Sequence, residues 1–286
     1  MSALLYFNGS IMHGHDARIS PTDAGFIYGA GMFETMLCMD GRVHAFSRHI
    51  ARLRQSCAAI GVEIHEKDED FANAIETLLM KNSLRDGEVR CKIIVSPGDI
   101  HEYVRIRRNT TIIVVEPYTR PPLYVAWRLY AGEHVRAGKF TQHKSTSYIE
   151  CRMALHDARR RGFDDVLLRD RYGNISETSI ASLLLRHRGT WIVPETPDAL
   201  EGIARDVLLA AMKDEGMQSR REVVTLELLF DDCVVVLCNS LLGPIPVGSI
   251  NAHELPQLSR QMCERLRELW LNRGFTETAK DTSGCS

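Results

Sequence analysis

Along its length this chain interleaves stretches that alternate apolar and polar residues with stretches whose apolar residues recur every three to four positions. Such a chain has to bury both strand faces and helix stripes. That supports a mixed α and β protein but does not by itself identify the fold. The first part predicts a strand over 4–8 and a hairpin in which 34–39 and 42–46 flank Asp40-Gly41. Ser47 then caps an amphipathic helix that carries Ile50, Leu53, Cys57 and Ile60 on one face and stops at Gly61. A second helix is expected over 68–81, with β-rich runs at 89–96 and 110–116. Pro117, Pro121 and Pro122 form the one proline-dense stretch, which reads as an interdomain linker. Beyond it the pattern predicts strands near 124–130, 165–169, 181–186, 190–193 and 233–238. Helices are expected over 146–161, 204–215 and 258–272, followed by a polar tail that reads as disordered.

Composition removes several function classes. With 286 residues, 44% hydrophobic and 25% charged, the chain can bury a large core, as one large or two medium domains. A net charge of −2 argues against nucleic acid, and the short basic runs at 105–108 and 159–161 read as solvated surface. No stretch approaches the roughly 20 apolar residues of a membrane span, and the N-terminus does not read as a secretory signal. The eight cysteines are scattered, mostly in apolar runs and without a CxxC pair, which fits a reducing cytoplasm better than a disulfide framework. His13-Gly-His15-Asp16 has no second ligand cluster near it in sequence, so no metal is expected.

Four places could carry chemistry. Lys144, in His143-Lys-Ser-Thr-Ser-Tyr148, stands ahead of a predicted helix, where an amine can be desolvated enough to act as a nucleophile. Read alone, a lysine ahead of a helix is nearly always a surface residue. Glu177 lies between a turn and an apolar strand, either as a loop carboxylate or as an acid aimed at a ligand. Gly202 gives a tight entry to an amphipathic helix whose first N–H groups could hold an anion. Cys238-Asn-Ser240 ends a buried strand on small polar side chains. An enzyme of pyridoxal 5′-phosphate (PLP) needs such a lysine, such an acid and such a phosphate cradle.

Taken together, these pieces resemble the fold-type IV PLP enzymes, the class IV aminotransferase family, over about 7–248. Thr22-Asp23-Ala-Gly and Tyr28-Gly-Ala-Gly31-Met-Phe33-Glu34-Thr35 are similar to the family's early motifs, and His49-Ile-Ala-Arg52-Leu53 to its His-Leu-x-Arg-Leu helix. Lysine, glutamate and the Gly-Ile turn follow in family order at intervals of 33 and 25 residues. The resemblance implies an α+β, two-domain fold with PLP between the domains: a smaller N-terminal α/β domain over 1–118 and a larger PLP-binding domain over 119–286. It implies Lys144 as the Schiff-base lysine, Glu177 as the partner of the pyridine nitrogen, and Arg52, Ile203, Ala204 and Ser240 as phosphate contacts. Tyr148 is implied as a further cofactor contact. A small-molecule substrate, a homodimer whose partner completes the pocket, and a cytoplasmic location follow from it as well.

Departures accompany the likeness. Ala24, Ala30, Ser182 and Ala204 stand where the family has arginine, aspartate, asparagine and threonine. A non-catalytic PLP-binding relative is therefore one alternative. Among the reactions, the run 238–247 and Thr35 look most like the 4-amino-4-deoxychorismate lyase branch, which releases pyruvate and 4-aminobenzoate for folate synthesis. A branched-chain, D-amino-acid or (R)-amine aminotransferase is the other enzyme reading. Phe33 is a candidate for substrate contact, and His101, Arg105 and Arg107 are loose candidates for contact with a substrate carboxylate, with surface charge the plainer reading of each of the three.

Overall fold

The computed structural model describes residues 3–101, 105–106 and 109–276. The tail expected to be disordered lies outside the described residues. The chain separates into two compact units, the first comprising the described part of Met1–Arg120 with His143–Ser147, the second Pro121–Gln142 with Tyr148–Thr276.

In the first unit the elements run β1 (Leu4–Phe7), β2 (Ser10–His13), α1 (Ala24–Tyr28), β3 (Met32–Met39), β4 (Arg42–Val43), α2 (Phe46–Ala59), α3 (Asp68–Lys81), β5 (Glu88–Ser96), β6 (Ile100–His101), β7 (Arg105–Ile106) and β8 (Thr110–Pro117). Six strands form one sheet in the order β2-β1-β8-β5-β3-β4, and β6 pairs with β7. Met32, Met36, Ile93, Val95, Ile113 and Val115 point to one sheet face. There they pack with Ile50, Leu53, Phe71, Ile75 and Leu78 of α2 and α3 into the unit's core. The hairpin at Asp40-Gly41 forms as expected, both residues at positive φ and Met39 opposite Arg42. Helix α3 matches its predicted bounds, with Asp68, Glu69 and Asp70 at the positive end of its dipole and Lys81 at the negative end. Ser47 does not cap α2. The N-cap is Ala45, at φ 51°, because the chain leaves β4 so abruptly that the helix has already started at Phe46.

The second unit continues with β9 (Trp127–Val135), α4 (Ile149–Arg160), β10 (Asp165–Arg169), β11 (Ile175–Thr178), β12 (Ser182–His187), β13 (Thr190–Pro194), α5 (Ile203–Asp214), β14 (Ser219–Glu222), α6 (Leu226–Phe230), β15 (Val234–Asn239), β16 (Gly243–Ile250), β17 (His253–Glu254) and α7 (Arg260–Thr276). Its sheet runs β11-β10-β9-β16-β15-β12-β13-β14, and because β11 also pairs with β12 the sheet closes on itself. Helix α4 covers β10 through Cys151, Ala154 and Ala158 against Val166 and Leu168. Two predicted boundaries move. The strand expected near 124–130 begins at Trp127, since the turn closed by the Val125 N–H on the Pro122 carbonyl holds the chain out of the sheet. The helix expected from 146 begins at Ile149, because the preceding residues are bonded elsewhere. Among the described residues no helix is long and apolar enough to cross a membrane.

Candidate active site

In the first unit, the short run that bears Lys144 lies alongside the start of β3. The Phe33 N–H donates to the Lys144 carbonyl at 2.9 Å and the Thr146 N–H to the Gly31 carbonyl at 2.7 Å. Ser145 forms a bridge with Met32. The Thr146 hydroxyl accepts from the Gly31 N–H at 3.0 Å. A Cβ on residue 31 would stand 2.8 Å from that hydroxyl oxygen, so this close approach requires glycine. The backbone of Lys144 is thereby fixed, and its Nζ lies 4.7 Å from the Phe33 ring centroid.

Strand β3 also presents Glu34 inward and Thr35 outward, as strand alternation requires. His49 and Arg52, three apart on α2, share a face and both reach Glu34. Arg52 donates through Nε at 2.7 Å and Nη2 at 2.8 Å, one to each carboxylate oxygen, and His49 Nδ1 lies 2.6 Å from Oε2. Burial works to raise the Glu34 pKa, but Arg52 and His49 overcome it and hold the group down to about 2. His49 is pushed the other way, its pKa lowered chiefly by burial. The acid-sensitivity of this cluster follows. Glu34 contributes its full stabilisation above its ordinary value near 4.5 and loses it as pH falls towards 2. Below about 6.5 an unfolded His49 takes up a proton that the folded one resists, which adds to the loss. Glu34→Gln should cost about 3 kcal/mol at pH 7, since it leaves Arg52 without its carboxylate. Urea midpoints of both proteins at pH 7 and pH 3.5 should show the gap shrinking in acid; a constant gap would mean that Glu34 is not the titrating partner.

In the second unit, Glu177 lies buried on β11. Arg136 Nη1 donates to its Oε1, and the Leu200 N–H donates to Oε2 at 3.3 Å. Arg136 is braced in turn by donating Nη2 to the Thr141 carbonyl at 3.0 Å. Sheet closure puts Ser182 opposite both Glu177 and Cys238, so those residues stand in one row across β11, β12 and β15. Gly202, the N-cap of α5, packs against this row. A Cβ there would meet the Ser182 Oγ at 2.1 Å. The N–H groups of Ile203 and Ala204 open α5 and have no carbonyl of their own helix to bond, the first helical bond running from the Asp206 N–H to the Gly202 carbonyl. Ser240 stands in the turn after β15. Tyr148 donates its hydroxyl to the Ser179 carbonyl, and burial raises its pKa.

Each unit thus gathers part of the expected set: Phe33, Thr35, Arg52 and Lys144 in the first; Tyr148, Glu177, Ile203, Ala204 and Ser240 in the second. Arg107 lies outside the described residues, and of Arg105 only the backbone, in β7, is described. Sequence reasoning missed Arg136 and the part Glu34 plays. Arg136 left no signal, because its pairing with Glu177 spans 41 residues and depends on strand order. Glu34 could have been found from the His49 and Arg52 spacing on a helix that follows a strand.

This residue set fits PLP: a helix N-terminus whose entry admits only glycine can hold a phosphate, a lysine stands on a fixed backbone, and a buried acid is held by an arginine. The comparisons agree with the fold. Residues 31–250 match the family model for amino-transferase class IV. The aminodeoxychorismate lyase of Bacillus subtilis is 25% identical over 255 residues, 86% of each chain. The branched-chain-amino-acid aminotransferase of Escherichia coli is 23% identical over 263 residues, 86% of this chain and 84% of that one. A crystal structure of the Escherichia coli branched-chain aminotransferase superposes with a TM-score of 0.87 at 21% identity, covering 99% of this chain and 98% of that chain. The chain belongs to the class IV aminotransferase family, with the fold-type IV architecture. It is, as the family is, a PLP-dependent enzyme.

Proposed function

We propose that this enzyme is a 4-amino-4-deoxychorismate lyase that releases pyruvate and 4-aminobenzoate. The observation that carries this reading is the partly buried side of β3 that carries Phe33 and Thr35. Thr35 lies there two residues from Phe33, whose ring bears the Lys144 ammonium, so a hydroxyl donor shares a surface with the reactive amine. The Bacillus subtilis relative supports it.

When bound, PLP supplies a carbonyl that accepts a primary amine and a ring that draws off the electron pair left by a lost proton. Lys144 would hold the cofactor through Nζ and, when freed from it, would be the base for the proton on the amine-bearing ring carbon of the substrate. Glu177, oriented by Arg136, would keep a proton on the pyridine nitrogen. The Ile203 and Ala204 N–H groups and Ser240 would hold the phosphate, with Arg52 a further phosphate contact as the family resemblance implies. Tyr148 is a further cofactor contact. The Thr35 hydroxyl donates to the enolpyruvyl oxygen as its bond to the ring breaks. The proton taken by Lys144 returns to the departing pyruvate, so the atoms balance without a second substrate.

A second reading, an aminotransferase of branched-chain, D-amino-acid or (R)-amine type, draws support from the Escherichia coli relative. Ile94, Ile112 and Val114, partly buried on the same side of the sheet, could receive an aliphatic group. In that case Lys144 would deliver its proton to the cofactor rather than to a departing pyruvate.

We also place the protein in the cytoplasm as a homodimer. Supporting this, the seven described cysteines are buried and free, while Phe26, Ile27 and Tyr28 on α1 lie exposed, Phe26 by 74%. The experiment is an absorption spectrum of purified protein with PLP, after desalting, on material whose mass in solution has been measured. Release of 4-aminobenzoate from 4-amino-4-deoxychorismate is the expected result. Bleaching by amino donors alone would replace the lyase reading with the aminotransferase one, and a mass of one chain would overturn the dimer.

A further inference from the structure

We propose that Asp198 is a positioning residue for Glu177, because it fixes both of the segments that grip the Glu177 carboxylate. The inference rests on the reading above that Glu177 meets the ring nitrogen of the cofactor.

Glu177 is gripped from two stretches without regular secondary structure, 136–142 after β9 and 195–202 before α5. Such stretches have no ladder of their own, so side chains must fix them. Asp198 lies in the second stretch with its side chain fully buried. Its Oδ1 accepts from the Gly138 N–H at 3.1 Å and from Arg171 Nη2. Its Oδ2 accepts from the Arg171 N–H at 3.0 Å and from Arg171 Nε at 2.8 Å. Four donors from two distant segments therefore converge on one carboxylate. Arg171 belongs to the turn that joins β10 to β11, the strand bearing Glu177.

Two routes lead from Asp198 to Glu177, one to each of its oxygens. Along the first, the Gly138 carbonyl accepts from the Thr141 hydroxyl at 2.8 Å. The Thr141 carbonyl accepts from Arg136 Nη2 at 3.0 Å, and Arg136 Nη1 donates to Glu177 Oε1. Along the second, Leu200 stands two residues after Asp198 and donates its N–H to Glu177 Oε2 at 3.3 Å. Gln142 also ties the two stretches, donating to the Pro197 carbonyl at 3.0 Å, but from an exposed side chain.

A buried carboxylate that receives four donors makes a strong and geometrically specific tie. The Arg171 guanidinium holds the Asp198 carboxyl well below the usual carboxylate range, so the tie stays charged in neutral and mildly acid solution. An amide in its place keeps the volume but loses the charge and turns its own N–H groups towards donors. Both grips on Glu177 should then loosen together.

The test begins on protein without cofactor. In Asp198→Asn, hydrogen–deuterium exchange at the Leu200 and Gly138 amides should speed up by about tenfold or more. Amides of β15 should keep their wild-type rates, which reports that the variant is folded. With PLP bound, the pH midpoint of its absorption should move from the wild-type value towards that of Glu177→Gln. In the variant carrying both substitutions it should equal that of Glu177→Gln alone, since Asp198 acts through Glu177; a general loss of stability would not show this coupling. Arg171→Gln, made on an exposed side chain, keeps both backbone donors and should act in the same direction by less. It carries the test if Asp198→Asn does not fold. Unchanged exchange at Leu200 overturns the proposal. So does a midpoint that Glu177→Gln moves and Asp198→Asn does not, or shifts that simply add when the two are combined. Faster exchange at Leu200 with a Glu177→Gln midpoint identical to wild type would sink the ring-nitrogen reading and leave Asp198 as the residue that holds this carboxylate in place.

Discussion

Lys144→Ala is expected to lower turnover by at least about 10³-fold and to abolish fixation of PLP to the chain by borohydride. The loss should be chemical, not structural. The backbone bonds that seat this run, from Phe33 to the Lys144 carbonyl and from Thr146 to the Gly31 carbonyl, do not involve the side chain. The ammonium over the Phe33 ring disappears, and with it a charge that acts on the buried His49, so stability should change by about 1 kcal/mol or less. Peptide mapping after borohydride treatment reads the result: label on the Lys144 peptide in the wild type and none in the variant. Label at the wild-type level on the variant would remove Lys144 from its role and, with it, the mechanism above.

Glu177→Gln is expected to keep the cofactor but to lower kcat by about 10²- to 10³-fold. The carboxylate receives Arg136 and the Leu200 N–H, so its position is set from two sides before any ligand arrives. An amide of the same shape can occupy that position but cannot hold a proton on a ring nitrogen by its charge. It also deprives Arg136 of a carboxylate, at a cost of about 1–3 kcal/mol in stability. Two readouts separate these effects. A thermal melt reports the structural cost, and the absorption of bound cofactor as a function of pH reports the ring nitrogen. Unchanged kcat together with an unchanged pH profile would show that Glu177 serves only to anchor Arg136.

Much of the first unit was legible because its signals are local. Asp40-Gly41 dictates a tight hairpin, and acidic residues before an apolar stripe delimit α3. Misplaced boundaries arose where local preference met a distant partner. Ser47 is a good cap by type, yet the exit from β4 starts α2 before it. The run 144–147 has helical promise, yet it is taken up by bonds to Gly29, Gly31 and Phe33.

The same division holds for the site. Lys144, Glu177 and Gly202 could be named from residue type, order and spacing, because a family signature is written along the chain. What surrounds them could not. Only strand order brings Arg136 to Glu177, only sheet closure sets Ser182 against Gly202, and only the register of β3 on β5 puts Lys92 opposite Thr35. By itself the sequence determined which groups are present and the family chemistry they permit. The tertiary structure decided which of them share a surface, because a shift of one residue in strand register would turn Lys92 to the opposite face of the sheet.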